Sequence, residues 1–270
     1  MPRRRIARLC CLLVVAGCVP VQPTSAPIPK PNYSYTPTGP CAPAGSSHLT
    51  LAIVAPRWQD ANPAANAGVM GQTYRNPQQR FFPDLSAAMR ADFLQLVTCR
   101  GYLAKGPFDS FEAMVYPDRM SSELLLEPEL LIKVDIGEVT AVEPDFLTAL
   151  ANSGQKKIRA NASVSGRVNL SLKEPVTNTR MWVRSIEIPA TPFTFDSDKL
   201  YPTSRMTDDM ARMYLAADDG LARAVIPKLE AVYASVFSAA DKYLNRQELT
   251  SVASQASDVR KRAAIRVPPE

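Results

Sequence analysis

"IRANASVSGRVNLSLK", residues 158–173, alternates without interruption. Ile158, Ala160, Ala162, Val164, Gly166, Val168, Leu170 and Leu172 take the even positions, and every odd position is polar. Successive side chains of a strand point to opposite faces, so a period of two predicts one long strand with a packed face and a wet face. "EPVTNT" (174–179) carries turn residues, and "RMWVRSIEIP" (180–189) predicts an antiparallel return. On the other side, residues 123–139 read as a second long strand, with Ile132, Val134 and Ile136 alternating with Lys133 and Asp135. A sheet of long antiparallel strands is therefore the centre of the fold.

What lies before and after this sheet is mixed. "LTLAIVAP" (49–56) is a short apolar run closed by proline, the pattern of a buried strand. A polar stretch to about residue 80 reads as a loop. In "FPDLSAAMRADFLQLVTCRG" (82–101), Leu85, Met89, Phe93 and Leu96/Val97 recur at helical spacing, with Pro83 suited to a first turn and Gly101 to the position past the end. "YLAKGPF" (102–108) returns as a strand, which makes a β-α-β front. Near the C-terminus, Leu221, Val225, Leu229, Val232/Tyr233, Val236/Phe237, Ala240 and Tyr243/Leu244 form an apolar stripe of about six turns, with Pro227 early in it. The expected class is α+β: a mixed, mostly antiparallel sheet with a long C-terminal helix packed on it. One domain spans 48–250, and "DVRKRAAIRVPPE" ends a basic tail, 251–270, expected to be mobile.

The first residues set the compartment. Arg3, Arg4, Arg5 and Arg8 precede a short apolar run from Leu9 to Ala16, which leads into "VVAGCVP" (14–20). A spanning helix needs roughly 20 apolar residues, so this run is a secretory signal, 1–17. The small residues before Cys18 match the bacterial lipoprotein signal, in which the thiol takes a diacylglyceride (with palmitate among its acyl groups) and the chain is cut before it. Val19 stands where an inner-membrane retention signal would place aspartate, which directs the protein to the outer membrane, on either side. Residues 18–47 carry eight prolines and no hydrophobic period, and read as an extended tether.

Processing also removes the apparent charge. The chain has 31 Lys+Arg against 26 Asp+Glu, but residues 1–17 hold four arginines and no acid. The remainder is close to neutral, which excludes a general nucleic-acid binder. Cys41 and Cys99 remain beside Cys18. In an oxidising envelope they are either bridged, pinning the tether to the domain, or two separate thiols with Cys99 buried on a helix.

Catalytic signatures are missing from the sequence. His48 is the only histidine, and there is no CxxC, HExxH, GxSxG, P-loop or GxGxxG. Glu127 and Glu129 read as solvent-face strand residues, and the Asp208-Asp209 and Asp218-Asp219 pairs as helix caps or first-turn acids. The expectation is a binding or structural protein, not an enzyme, with neither metal nor cofactor.

Taken in order, the segments "LAIVAPRWQD", "LVTCRGYLAKGPFDSF", "LLLEPELLIKVDI", "GRVNLSLKEPVTNTRMWVRSIEI" and "AVIPKLEAVYASVFSAADKYLNRQEL" resemble the neuraminyllactose-binding haemagglutinin lipoproteins, also described as flagellar-sheath adhesins. The resemblance runs over residues 48–262. It implies an adhesin that binds sialylated glycans at the cell surface through a short basic run. The nearest equivalent here is "GQKKIRA" (154–160), expected as a loop entering the long strand; only Gln155-Lys156-Lys157 matches, and the leading Lys-Arg-Thr portion is absent. Lys156, Lys157 and Arg159 would meet a sialic carboxylate, the arginine through its two-donor fork. Trp58 and Trp182 are the candidate aromatic platforms, Trp182 being better suited to sheet packing. The alternative of a different class is a structural or assembly lipoprotein of the envelope or flagellar sheath, with envelope proteins as partners and no glycan site.

Overall fold

A computed structural model describes residues 26–58, 77–143, 155–202 and 206–266. The leader and Cys18 lie outside the described residues.

Strand β1 (Thr50–Val54) is covered on both faces, which is why its sequence is continuously apolar rather than alternating. Leu51 and Ile53 join the main core, while Ala52 and Val54 join a small second cluster with Met114 and Leu125 on the opposite face. β2 (Arg57–Trp58) continues the line for one step. Helix α1 (Pro77–Cys99) then crosses over to β3 (Leu103–Phe108), which lies parallel to β1. The helix begins earlier than expected: Pro83 sits inside it, and residues 77–80, read as loop, belong to it. Leu85, Met89, Phe93, Leu96 and Val97 are all buried, as their spacing predicts.

After the short helix α2 (Tyr116–Met120) come the three long strands, β4 (Leu124–Val142), β5 (Gln155–Lys173) and β6 (Arg180–Asp196). β4 runs parallel to β1 and antiparallel to β5, and β5 pairs antiparallel with β6, giving the order β3-β1-β4-β5-β6. β7 (Tyr201–Pro202) adds a second partner to the start of β5. The even face of β5 is the core face, from Ile158 to Leu172. Gly166 interrupts it for a reason: its φ is 141°, and a Cβ there would stand 2.0 Å from the Leu131 carbonyl oxygen. The registers with β6 shift at the same place, so the glycine lets the strand turn sharply while the backbones stay close.

Helices α3 (Asp208–Ala216), α4 (Asp219–Tyr243) and α5 (Arg246–Arg266) complete the chain. Asp218 caps α4 by accepting from the Gly220 amide, and Thr207 caps α3 through the Met210 amide. The α4 stripe packs on the sheet and on α1, where Phe93 and Phe237 meet with ring centres 4.6 Å apart. The fold is thus α+β, with the expected β-α-β front and a long helix on the sheet. The tail is different: residues expected to be mobile from 251 onward form α5 as far as Arg266. Its apolar face (Leu249, Val252, Ala253, Ala256) enters the core, which composition alone did not reveal.

Residues 26–47 are likewise no free tether where they are described. They run down α4 and α1, with Tyr33 stacked on Tyr233 and Tyr35 on Phe237, and Cys41 is bridged to Cys99.

Candidate functional site

The basic run expected as a loop is strand. Gln155, Lys156 and Lys157 already pair as β5, Gln155 and Lys156 with β7 and Lys157 with Val142 of β4. Lys156 Nζ stands 2.5 Å from the Glu143 carboxylate. Arg159 lies directly across from Asp196 of β6 and grips it with both prongs, Nε at 2.6 Å and Nη2 at 2.9 Å. The hydrogen bond and charge of Arg159 hold the Asp196 carboxyl below the usual range, and Asp196 in turn raises the guanidinium. The fork that a sialic carboxylate would need is therefore holding a carboxylate of the protein itself. Lys157 is exposed beside it. Gly154 lies outside the described residues.

Neither tryptophan stands near this run. Trp58 pairs with Leu130 and Lys157 with Val142, twelve residues further along β4, or about 40 Å at the rise of a strand. Trp58 packs on Phe82 and lines a shallow apolar recess with Phe81, Leu85, Leu130 and Leu229. Trp182 pairs with Leu172 and is buried; its Nε1 donates to Glu248 at 2.7 Å, and the Arg184 guanidinium lies over its ring. It serves the α5 contact with the sheet.

Glu127 is not a solvent-face residue. It is buried between Arg57, at 3.3 Å, and Lys173, on the face of the sheet that 108–122 covers. The alternation of β4 placed it correctly on the odd face; what the sequence lacked was any sign that the segment just before β4 would close over that end. Glu129, two residues on, meets Arg180 at 3.4 Å. Both carboxylates are thus committed to cations of other strands: Glu127 to β2 and β5, Glu129 to β6. Asp208 and Asp209 are first-turn acids of α3. Among the described residues no group of three or more His, Cys, Asp and Glu is placed to hold a metal ion. His48 is exposed at a turn, with φ 59°.

The densest polar arrangement lies where residues 26–41, an N-terminal arm, meet α1 and α4. Asp241, buried on α4, accepts from Arg100 Nε at 2.5 Å, Tyr35 Oη at 3.0 Å and Thr38 Oγ1 at 2.9 Å. Burial pushes this carboxyl up, but Arg100, Thr38 and Tyr35 outweigh burial and hold it below its ordinary value. Asp92 on α1 accepts from the Tyr35 amide and from Tyr233 Oη, both at 2.6 Å. The Cys41–Cys99 bridge stands at the end of this run.

No protein-family model matches the chain, and no curated protein matches it in sequence. Its likenesses are to solved structures. A homolog of a neuraminyllactose-binding hemagglutinin from Helicobacter pylori is similar over 83% of this chain and 98% of that one, with 12% identity and a TM-score of 0.48. A lipoprotein from Neisseria meningitidis is similar over 63% of this chain and 94% of its own, with 11% identity and a TM-score of 0.25.

The arm was the part least legible in the sequence. Its proline content predicts an extended chain, which it is, but the tyrosines at 33 and 35 were the available signal that one side of it docks. Among the described residues, no helix is long and apolar enough to cross a membrane.

Proposed function

We propose that this protein is an envelope lipoprotein anchored through Cys18, whose domain acts by holding a fixed surface near the membrane rather than by catalysis. The observation that carries the reading is the clamped arm. A passive tether needs no bridge and no docking, whereas the Cys41–Cys99 bridge fixes the segment leading from the anchor to the domain and the carboxylates Asp92 and Asp241 dock it there. The engagement of Glu127 and Glu129 in ion pairs favours a structural use of those acids over acid–base chemistry. The test of the anchor is Cys18→Ala. Labelling by a fatty-acid probe should be lost, and the protein should leave the outer-membrane fraction; continued labelling would remove the assignment.

A second reading, an adhesin for sialylated glycans, is favoured by one feature. Lys156, Lys157 and Arg159 stand together on one short stretch, and their pairs with Glu143 and Asp196 are exposed, hence weak and exchangeable. A glycan carboxylate would have to displace Asp196 from a bidentate grip, and no tryptophan lies near to supply a platform. The scaffold is therefore the better conclusion. Titration of the soluble Cys18→Ala protein with sialyllactose and with lactose, followed by backbone NMR, decides between them. The scaffold predicts no shift at ligand concentrations of about 10 mM, where even a millimolar site would be mostly filled. Shifts at 155–159 with sialyllactose alone would establish the adhesin.

A further inference from the structure

The arm segment "PNYSYTP" (31–37) has its own period of two. Pro31, Tyr33, Tyr35 and Pro37 face the domain, while Asn32, Ser34 and Thr36 face solvent. It lies in a groove between α1 and α4 whose floor is Tyr233 and Phe237 and whose walls carry Asp92, Glu230 and Asp241. The walls read main-chain donors as well as side chains: Glu230 accepts the Asn32 amide at 2.7 Å, and Asp92 accepts the Tyr35 amide at 2.6 Å. This is how extended peptides are recognised, by rings that take alternate side chains and acceptors that take the backbone.

Two further observations separate the segment from the body of the fold. Among the described residues, the first backbone-to-backbone hydrogen bond between the arm and the domain is Ala42 N to Cys99 O, one residue past the bridge. Among the described residues, those before Cys41 hydrogen-bond to the domain only through side chains of the domain or of the arm. The fit is also imperfect, because the Tyr33 hydroxyl is buried without a partner. A buried hydroxyl left without a partner weakens the docked state. Between the docked stretch and the bridge stand Gly39, with φ 81°, and Pro40; the glycine has open space around its α-carbon, as a hinge requires.

We propose that the α1/α4 groove is a docking site for an extended Pro-x-Tyr-x-Tyr-x-Pro segment, filled in cis by residues 31–37, and that the same segment of a second copy of this chain takes it in trans when the strap lifts. The bridge fixes the root of the strap at residue 41. Residues 38–40 then join that root to the docked stretch with a reach of about 14 Å, so the exchange takes place with a neighbour whose groove opens within that distance. The arm in its docked state is the competitor that keeps the groove closed.

Two measurements test this. Native-state hydrogen exchange of the unaltered oxidised protein should show the Asn32 and Tyr35 amides opening at least about tenfold more often than the amides of α1 and α4, that is, without unfolding of the domain. Equal protection would make the arm an integral part of the fold and overturn the proposal. The second measurement uses a fluorescent peptide of residues 30–40, KPNYSYTPTGP, the segment a second copy would offer. A Tyr33→Ala/Tyr35→Ala protein, checked for an intact fold by its α1 and α4 exchange, should bind it at least about tenfold more tightly than the unaltered protein, whose groove is occupied. The same peptide with both tyrosines replaced by alanine should not bind. Absence of peptide binding to the variant, or equal binding of both peptides, would overturn the proposal.

Discussion

At Val168 and Asn169 two neighbouring residues have opposite fates. Val168 is fully buried on the core face of β5, whereas Asn169 is part-exposed and accepts the Ser185 hydroxyl at 2.7 Å. Val168→Asp puts an unpaired carboxylate among apolar groups and should cost several kcal/mol, about 3 or more. Asn169→Asp keeps the acceptor for Ser185, but it lies directly across from Glu129, so it should cost about 0.5 kcal/mol. Chemical denaturation of the two variants checks the pair, and equal midpoints would mean that the face assignment is wrong. Glu127 shows the other kind of residue, one whose face was legible but whose burial was not. Its strand parity follows from the alternation of β4, while its enclosure depends on Met114 and Phe111 arriving from a segment with no period of its own.

Among the elements, α5 departs most from its sequence. Its basic end looks like a solvated tail, yet Arg260 reaches the buried Glu174 at 2.6 Å and also donates to the Met120 and Ser122 carbonyls. Glu174 is itself the organiser of the turn between β5 and β6, accepting from the Val176 and Thr177 amides. One arginine thus ties α5 to the turn "EPVTNT" and to the link between α2 and β4. Arg260→Ala leaves the carboxylate buried with only its turn amides, and should lower stability by about 2–4 kcal/mol in urea denaturation. A loss below about 0.5 kcal/mol would show that the turn alone satisfies Glu174. The long strands and α4 could be read from the sequence because a period states which face is buried. The arm and α5 could not be, because proline content and charge describe a segment's solvation and say nothing of a partner distant in the chain. The same reason hid the true state of the basic run. Lys156 and Arg159 look available until the ends of β4 and β6 bring Glu143 and Asp196 beside them.

For the molecule as a whole, the buried carboxylates set an acid limit. Burial pushes Glu174 and Asp241 up, but their hydrogen bonds and cations prevail, and both fold with depressed values. A carboxyl whose folded value lies below its unfolded one stabilises the protein above the ordinary range, near pH 4, and that stability disappears as pH falls through the folded value. The melting temperature should therefore be flat from about pH 7 to 5 and fall steeply below about pH 4, with a shallower fall in Asp241→Asn. An unchanged melting temperature at pH 3 would contradict the assignment. Tyr102, which burial pushes up to about 12, works in the other direction, holding below pH 10 and giving way as pH rises beyond it. The bridge of Cys41 to Cys99, 58 positions apart, has a mechanical consequence. Tension applied at the N-terminal side enters at Cys41 and crosses at once to the end of α1, so that β1, in the middle of the sheet, is never pulled. Some 200 Å of chain contour is thereby withheld from extension. With the bridge reduced, the same pull would fall on Ser47 and His48 and begin to strip β1 out from between its two parallel neighbours.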